Sequence, residues 1–171
     1  MHRGLILFYG KSEYVFARVQ QLFISLVKQN FRVHILDCAI RLNLFAIVEE
    51  SQRHFLNPDV ILSHITIQRL FTPYQILTVT QELTPEILPV FLAPHKQFFD
   101  GDVGFKESMF LLGKLYQIWS SLAQKQHLLV VEKESYEHPV FRSHFPQLLK
   151  IAKESYRLGP SKNTLQKIRI F

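Results

Sequence analysis

The sequence predicts a three-layer α/β fold, in which helices cover both faces of a mainly parallel β-sheet. Short, continuously apolar segments, typical of strands buried on both faces, alternate with longer segments whose apolar residues recur at helical spacing. A turn at Gly159-Pro160 separates two further apolar arms, residues 155–158 and 164–171. These arms predict an antiparallel hairpin at the C-terminal end of the chain.

The predicted strands are short apolar segments that end at turn-forming or polar residues. The first ends at Gly10 and the second at Asp37, which places both residues at carboxyl ends of strands. The five predicted core strands cover residues 4–9, 31–37, 60–70, 87–93 and 128–131.

The predicted helices connect these strands. The third helix has the clearest start, because Thr72 suits the N-cap and Pro73 suits the first helical position. An Asn57-Pro58 pair predicts the end of the second helix, since the residue before proline avoids helical geometry. The predicted helices cover residues 12–30, 42–55, 72–83, 105–125 and 147–153, with irregular segments at 94–104 and 133–146.

Composition places the chain in the class of single globular domains. Its 171 residues are 47% apolar, with no linker or repeat, so residues 1–171 are predicted to form one domain. The single cysteine, Cys38, excludes an internal disulfide framework and fits a reducing compartment. No apolar run approaches the roughly 20 residues of a membrane span, and no signal peptide is recognisable. We therefore expect a cytoplasmic protein, nuclear in a eukaryote, without a membrane partner.

The charge of the chain is basic and concentrated towards its end. The formal net charge is +6, and eight basic residues accompany three acidic ones from residue 133 onward. Such a balance is compatible with nucleic-acid binding, and equally with a solvated basic surface.

The order of these segments resembles the RecA/RadA recombinase core, especially archaeal RadA and the eukaryotic strand-exchange proteins. Gly10-Lys11-Ser12 follows the first strand, where that family has its phosphate-binding loop. The second strand ends at Asp37 and continues into residues 38–42, where the family has an Asp-Thr-Glu-Gly type sequence.

Two further segments contribute to the resemblance, which covers nearly the whole chain. Residues 61–75 resemble the family's N-I-x-x-x-R strand and the following helix that begins near x-x-Q. Residues 90–93, a loop with Asp100-Gly101, a long helix and the strand at 128–131 have the spacing of the Walker B strand and first DNA loop. The resemblance implies a RecA-like, P-loop NTPase-type fold.

The residues needed for ATP hydrolysis are missing from these positions. A working phosphate loop has the pattern GxxxxGK[ST], whereas Leu5 stands at the first glycine position and only Gly10 precedes Lys11-Ser12. The turn is therefore a degenerate phosphate-binding turn, too tight to surround a triphosphate. A plain strand-to-helix turn is the favoured interpretation, while weak ATP or phosphate binding at this helix start stays open.

The carboxylates that would activate water and hold Mg²⁺ are also replaced. Ala39 occupies the position at which the family has its catalytic glutamate, and residues 93–95 supply no Walker B carboxylate. We therefore expect a pseudo-ATPase without catalytic residues, metal or cofactor. Asp37 itself ends a strand or caps the next turn.

The resemblance further implies DNA contacts in residues 94–104 and 133–145, after the fourth and fifth strands. Cations interleaved with aromatic residues suit single-stranded nucleic acid, because phosphates meet charge and bases stack on rings. Alternatively, several of these rings pack against the sheet. The candidate residues are Lys96, Phe98, Phe99, Lys106, Lys133, Tyr136, Phe141 and Arg142.

The leading hypothesis is a catalytically inactive RecA/RadA-like protein that serves DNA recombination or repair as a DNA-binding or recombinase-accessory module. Its expected partners are single-stranded DNA, an active recombinase or another protein, and homo-oligomerisation stays open. Two alternatives remain: a protein-interaction scaffold without a nucleic-acid role, and a residual nucleotide-binding ATPase.

Overall fold

The computed structural model describes residues 3–99 and 102–160, which form one six-stranded sheet in the order β3-β2-β4-β5-β1-β6. Every strand pair in this sheet is parallel. All carboxyl ends of the strands therefore lie at one edge, which we call the carboxyl edge. The strands are β1 (Leu5–Gly10), β2 (Val33–Asp37), β3 (Ile65–Arg69), β4 (Leu88–Leu92), β5 (Leu128–Lys133) and β6 (Ala152–Leu158).

Helices cover both faces of the sheet, and each face has its own apolar core. The helices are α1 (Ser12–Val15), α2 (Val19–Lys28), α3 (Leu44–Arg53), α4 (Pro58–Ser63), α5 (Pro73–Glu82), α6 (Phe105–Lys125) and α7 (Pro139–Ile151). Helices α1 to α4 contribute to the core that contains Phe8 and Ile35, and α5 to α7 to the core that contains Leu7 and Phe91. The predicted three-layer α/β fold is thus confirmed, and it is consistent with a RecA-like arrangement.

The predicted C-terminal hairpin has no support in the described residues. Residues 155–158 belong to β6, which pairs with β1 in parallel. The reason is α7, which connects β5 to β6 across one face of the sheet and so returns the chain in the same direction. The second predicted arm, residues 164–171, lies outside the described residues.

Pro58, predicted to follow a helix end, and Pro139, predicted to lie in an irregular segment, instead begin helices. Asn57 accepts a hydrogen bond from the backbone N–H of Asp59 at 2.9 Å and caps α4. Helix α4 therefore includes residues 60–63, which were predicted as the start of a strand. His138 caps α7 in the same way, through its Nδ1 and the N–H of Val140 at 3.2 Å. The predicted irregular segment 133–146 is therefore largely helical.

Two further differences are short 3₁₀ segments. Residues 16–18 interrupt the predicted first helix and divide it into α1 and α2, and residues 94–98 form a 3₁₀ turn inside the predicted loop. Asp100 and Gly101 of that loop lie outside the described residues. No helix in the described part of the chain is long and apolar enough to cross a membrane.

The connections between strands diverge at the carboxyl edge. The loops after β1 and β2 lead to helices on one face, whereas the loops after β4 and β5 lead to helices on the other. Because β4 lies beside β2, and β5 beside β1, neighbouring loops separate there. In parallel α/β sheets such a switch point leaves a crevice that commonly binds ligands.

Candidate functional site

A cleft of about 220 Å³ opens at the carboxyl edge, between the diverging loops. We call it the carboxyl-edge cleft. Its walls come from the chain that follows β1, β2, β4 and β5, so four separate connections shape it. The lining residues are Phe16, Ala39, Arg41, Ala93, Lys96, Phe99, Lys133 and Tyr136.

Three cations from three different loops face this cleft: Arg41, Lys96 and Lys133. The Arg41 guanidinium lies 5.1 Å from the ring centroid of Phe16, and the Lys133 ammonium lies 3.8 Å from that of Tyr136. Within residues 3–99 and 102–160, none of the three cations forms an ion pair. Their charges are therefore available to an anionic ligand.

The loop that carries Arg41 is shaped by the buried carboxylate of Asp37. One carboxylate oxygen accepts from the N–H of Ala39 at 3.3 Å and of Arg41 at 2.9 Å, and the other accepts from the N–H of Leu42 at 3.1 Å. The wrapped loop holds Ile40 at φ 53°, a left-handed conformation that costs a non-glycine residue about 1–2 kcal/mol. Asp37 therefore both ends β2 and caps the turn that follows, the two roles that the sequence left open.

A second buried carboxylate, Glu132, joins the loops after β4 and β5. Its Oε2 accepts from Nδ1 of His95 at 2.7 Å and from the backbone N–H of His95 at 3.1 Å. Its Oε1 accepts from the N–H of Lys133 at 2.8 Å and from the hydroxyl of Tyr136 at 2.7 Å. The hydroxyl of Tyr116 completes the network at Nε2 of His95.

The environment keeps the two tyrosine hydroxyls of this network, and the nearby Cys38 thiol, protonated. Burial, reinforced by the charge of Glu132, raises the pKa of both Tyr116 and Tyr136. Both hydroxyls therefore remain donors. Burial also raises the pKa of the Cys38 thiol, with further contributions from Asp37 and Glu132. The thiol is thus neutral, and unsuited to act as a nucleophile near neutral pH.

No metal site is recognisable among residues 3–99 and 102–160. No group of three or more histidine, cysteine or acidic residues is arranged to hold a metal ion in that part of the chain. The carboxylates that end β2 and β5, Asp37 and Glu132, already accept hydrogen bonds on both of their oxygens. Their arrangement serves to fix the loops around the cleft.

The Gly10 turn has a structural explanation that does not involve phosphate. Gly10 pairs with Leu158 of β6, and a Cβ atom at Gly10 would overlap the Leu158 carbonyl oxygen. Lys11 alone separates β1 from α1, which begins at Ser12 and contains four residues. Glycine is therefore required at position 10 by the close approach of β6.

The predicted nucleic-acid residues do not all come together. Lys96, Phe99, Lys133 and Tyr136 line the carboxyl-edge cleft. In contrast, Phe98 and Phe141 are buried, so their ring faces are not free for a base, in keeping with the alternative that some rings pack inside. The two remaining cations are exposed on helices outside the cleft lining, Lys106 on α6 and Arg142 on α7.

Sequence reasoning assigned no binding role to Arg41 and Phe16, and did not recognise Glu132. A usable signal existed for Arg41 and Glu132, because polar residues at or just beyond the ends of neighbouring parallel strands meet at one edge of the sheet. Phe16 had no such signal, since its position depends on the 3₁₀ turn that interrupts the first helix.

Together these features define a class: a three-layer α/β protein with an all-parallel sheet and a basic cleft at the carboxyl edge. No protein-family model matches the sequence, and no curated protein is significantly similar to it. Function is therefore inferred from the geometry of the cleft.

Proposed function

We propose that this protein is a catalytically inactive, RecA-like module that binds single-stranded nucleic acid in the carboxyl-edge cleft. In this role it would serve DNA recombination or repair, as a DNA-binding or recombinase-accessory protein. One observation carries the proposal: Arg41, Lys96 and Lys133 come from three loops and converge, without ion-pair partners among the described residues, on a cleft with aromatic walls.

The chemistry of the cleft suits a chain of phosphates and bases. Phosphates bind the three cations, and bases contact the rings of Phe99 and Tyr136. Lys133 lies against the Tyr136 ring, and His138 stacks on Phe99 with ring centroids 4.4 Å apart. A phosphate that draws Lys133 away from Tyr136 therefore frees that ring for a base.

The size of the cleft favours part of a strand over a whole nucleotide cofactor. Its volume of about 220 Å³ is below the range of roughly 300–1,000 Å³ that is usual for pockets that enclose small molecules. An extended strand needs only part of one nucleotide, a base or a phosphate, seated in the cleft while the rest of the strand continues over the surface.

The absence of catalysis is supported by the two carboxylates at the ends of β2 and β5. Both side chains are buried, and all four oxygens of Asp37 and Glu132 accept hydrogen bonds from the protein, so both carboxylates are held by their own loops and are not exposed to solvent. Ala39, which lines the cleft, carries only a methyl group.

The test is fluorescence anisotropy with a labelled oligothymidylate. Replacement of Arg41, Lys96 or Lys133 by alanine is expected to weaken binding roughly tenfold, the scale of one charge-assisted hydrogen bond. Lys28→Ala is the matched control, because Lys28 is an exposed cation at the end of α2, near the opposite edge of the sheet.

Three outcomes separate the hypotheses. Weaker oligothymidylate binding in the three cleft variants, with unchanged binding in Lys28→Ala, supports the proposal. Equal loss in Lys28→Ala would mean that binding depends on overall charge, and no binding by the wild-type protein would favour a purely protein-binding role. Calorimetry with Mg-ATP, using Lys11→Ala as control, tests the residual nucleotide-binding alternative.

A further inference from the structure

A second surface of interest lies where α5 and α6 begin. We call it the apolar patch, and it does not belong to the lining of the carboxyl-edge cleft. Its side chains are large and apolar, yet between about a third and two thirds of each is exposed; its members are Phe71, Tyr74, Phe105, Met109 and Phe110. Exposed groups of this kind commonly mark surfaces that bind another molecule.

Tyr74 and Phe110 form the centre of the apolar patch, because Glu107 connects them. The Tyr74 hydroxyl donates to the carboxylate of Glu107, which joins the first turns of α5 and α6. Phe110 follows Glu107 by three residues, and Met109 follows Phe105 by four, so each pair shares a helix face. Tyr74 and Phe110 therefore lie close together where the two helices begin, with Phe105 and Met109 on an adjoining side of α6.

The core does not require these side chains. The residues that α6 buries in its first three turns are Ser108, Leu111 and Leu112, followed by Leu115 and Tyr116. Phe110 is 69% exposed, although it lies next to Leu111 in the sequence. Burial within this chain therefore does not account for the aromatic residue at position 110.

Cations predominate around the apolar patch. Lys106 and Lys114 each lie four residues from Phe110 on α6, and Arg69 lies two residues before Phe71; all three are exposed. Two acidic residues share this stretch, Asp102 and Glu107, and the second already accepts the hydrogen bond from Tyr74. The surface thus combines large apolar groups with a mainly basic border.

We propose that the apolar patch binds an acidic amphipathic segment of a partner protein. Apolar side chains on one face of that segment pack against Tyr74 and Phe110, and its carboxylates pair with Lys106 and Lys114. Helices with apolar anchors at positions i, i+3, i+4 and i+7 commonly bind between two helix surfaces in this way.

Charge disfavours two other occupants of the apolar patch: a second copy of this chain, and the chain's own residues 161–171. In a two-fold dimer through the patch, the basic borders of two chains that each carry a net charge of +6 would approach one another. Residues 161–171 carry three cations, Lys162, Lys167 and Arg169, and no acidic residue, so this segment does not complement the border either.

The experiment uses a labelled synthetic peptide with leucine and phenylalanine at helical spacing and glutamate at the other positions. The control peptide has lysine in place of every glutamate. We expect the acidic peptide to bind the full chain at least about tenfold more tightly than the basic one. Phe110→Ala is expected to weaken binding about tenfold or more, as for an aromatic anchor, and Lys114→Glu is expected to weaken it as well.

Matched controls come from exposed residues elsewhere. Phe55→Ala removes a ring that is 98% exposed just beyond α3, and Lys28→Glu reverses a charge at the end of α2. Both are expected to leave peptide binding unchanged, and unaltered thermal melting would establish that each variant is folded. Lys133→Ala is expected to retain peptide binding, which separates this proposal from the nucleic-acid role of the cleft.

Each contrary outcome overturns the proposal in a recognisable way. If the acidic peptide shows no saturable binding, or if the basic peptide binds equally well, an acidic partner is ruled out. Self-association in sedimentation that Phe110→Ala abolishes would assign the patch to a second copy. Loss of oligothymidylate binding in Phe110→Ala would assign it to nucleic acid.

Discussion

His95 donates from Nδ1 to the carboxylate of Glu132 across 2.7 Å, and both side chains are fully buried. The backbone N–H of His95 donates to the same oxygen. The contact therefore fastens the loop after β4 to the end of β5, and these two segments supply Lys96 and Lys133 to the carboxyl-edge cleft. Both the stability of the fold and the binding of a ligand in the cleft should therefore depend on Glu132.

Replacement of Glu132 by alanine is predicted to lower the free energy of unfolding by about 3–5 kcal/mol, because buried donors on His95 and Tyr136 lose their acceptor. Urea unfolding measures this change. Glu134→Ala is the matched control, since in its 2.8 Å pair the Arg157 side chain is 67% exposed and the Glu134 side chain 21%, and a pair open to solvent on one side should contribute about 1 kcal/mol. Similar small losses in both variants would contradict a structural role for Glu132.

Gly10→Ala is predicted to destabilise the junction of β1 and β6, because the added methyl group meets the Leu158 carbonyl oxygen. A clash with backbone in a packed sheet costs about 1–3 kcal/mol. Thermal melting should show a clear drop, with Gly159→Ala as control, since nothing lies within 4 Å of a methyl group there. Unchanged melting in Gly10→Ala would restore the interpretation of Gly10 as a phosphate-loop glycine.

The folded protein is predicted to lose stability as the pH rises above 10. Burial raises the pKa of Tyr116 above its ordinary value of 10.0, so in this range the unfolded chain releases a proton that the folded protein keeps. Each such group lowers the free energy of unfolding by about 1.4 kcal/mol per pH unit. Urea unfolding between pH 9 and 11 measures the slope.

The matched variant for this effect is Tyr116→Phe, which removes one titrating group and leaves Tyr136 in place. The pH slope is predicted to decrease by the equivalent of one proton. A slope identical to that of the wild type would mean that Tyr116 titrates normally in the folded protein.

The fold could be predicted where apolar periodicity is long or unbroken. The 21 residues of α6 span Phe105–Lys125, the bounds that the sequence predicts, because its apolar spacing continues over nearly six turns. Among the described α-helices, three begin next to proline; Thr72-Pro73 was predicted correctly, and prediction failed at the other two. In Asn57-Pro58 and His138-Pro139 the first residue caps a helix, and sequence alone does not distinguish a cap from a stop.

The site could be predicted only in part, because it depends on strand order. Lys96, Phe99, Lys133 and Tyr136 were predicted from the family resemblance together with their charge and aromatic content, and they lie around one cleft. The sequence shows that Arg41 follows the end of β2, but its place in the cleft also depends on the pairing of β2 with β4, a contact between distant parts of the chain that local patterns do not reveal.

The most direct test of the central claim is the salt dependence of oligothymidylate binding. If Arg41, Lys96 and Lys133 each neutralise one phosphate, the logarithm of the binding constant should fall with the logarithm of the salt concentration at a slope of about −2. The triple alanine variant should bind far more weakly, with a slope near zero. A wild-type slope and affinity that persist in the triple variant would contradict nucleic-acid binding at this cleft.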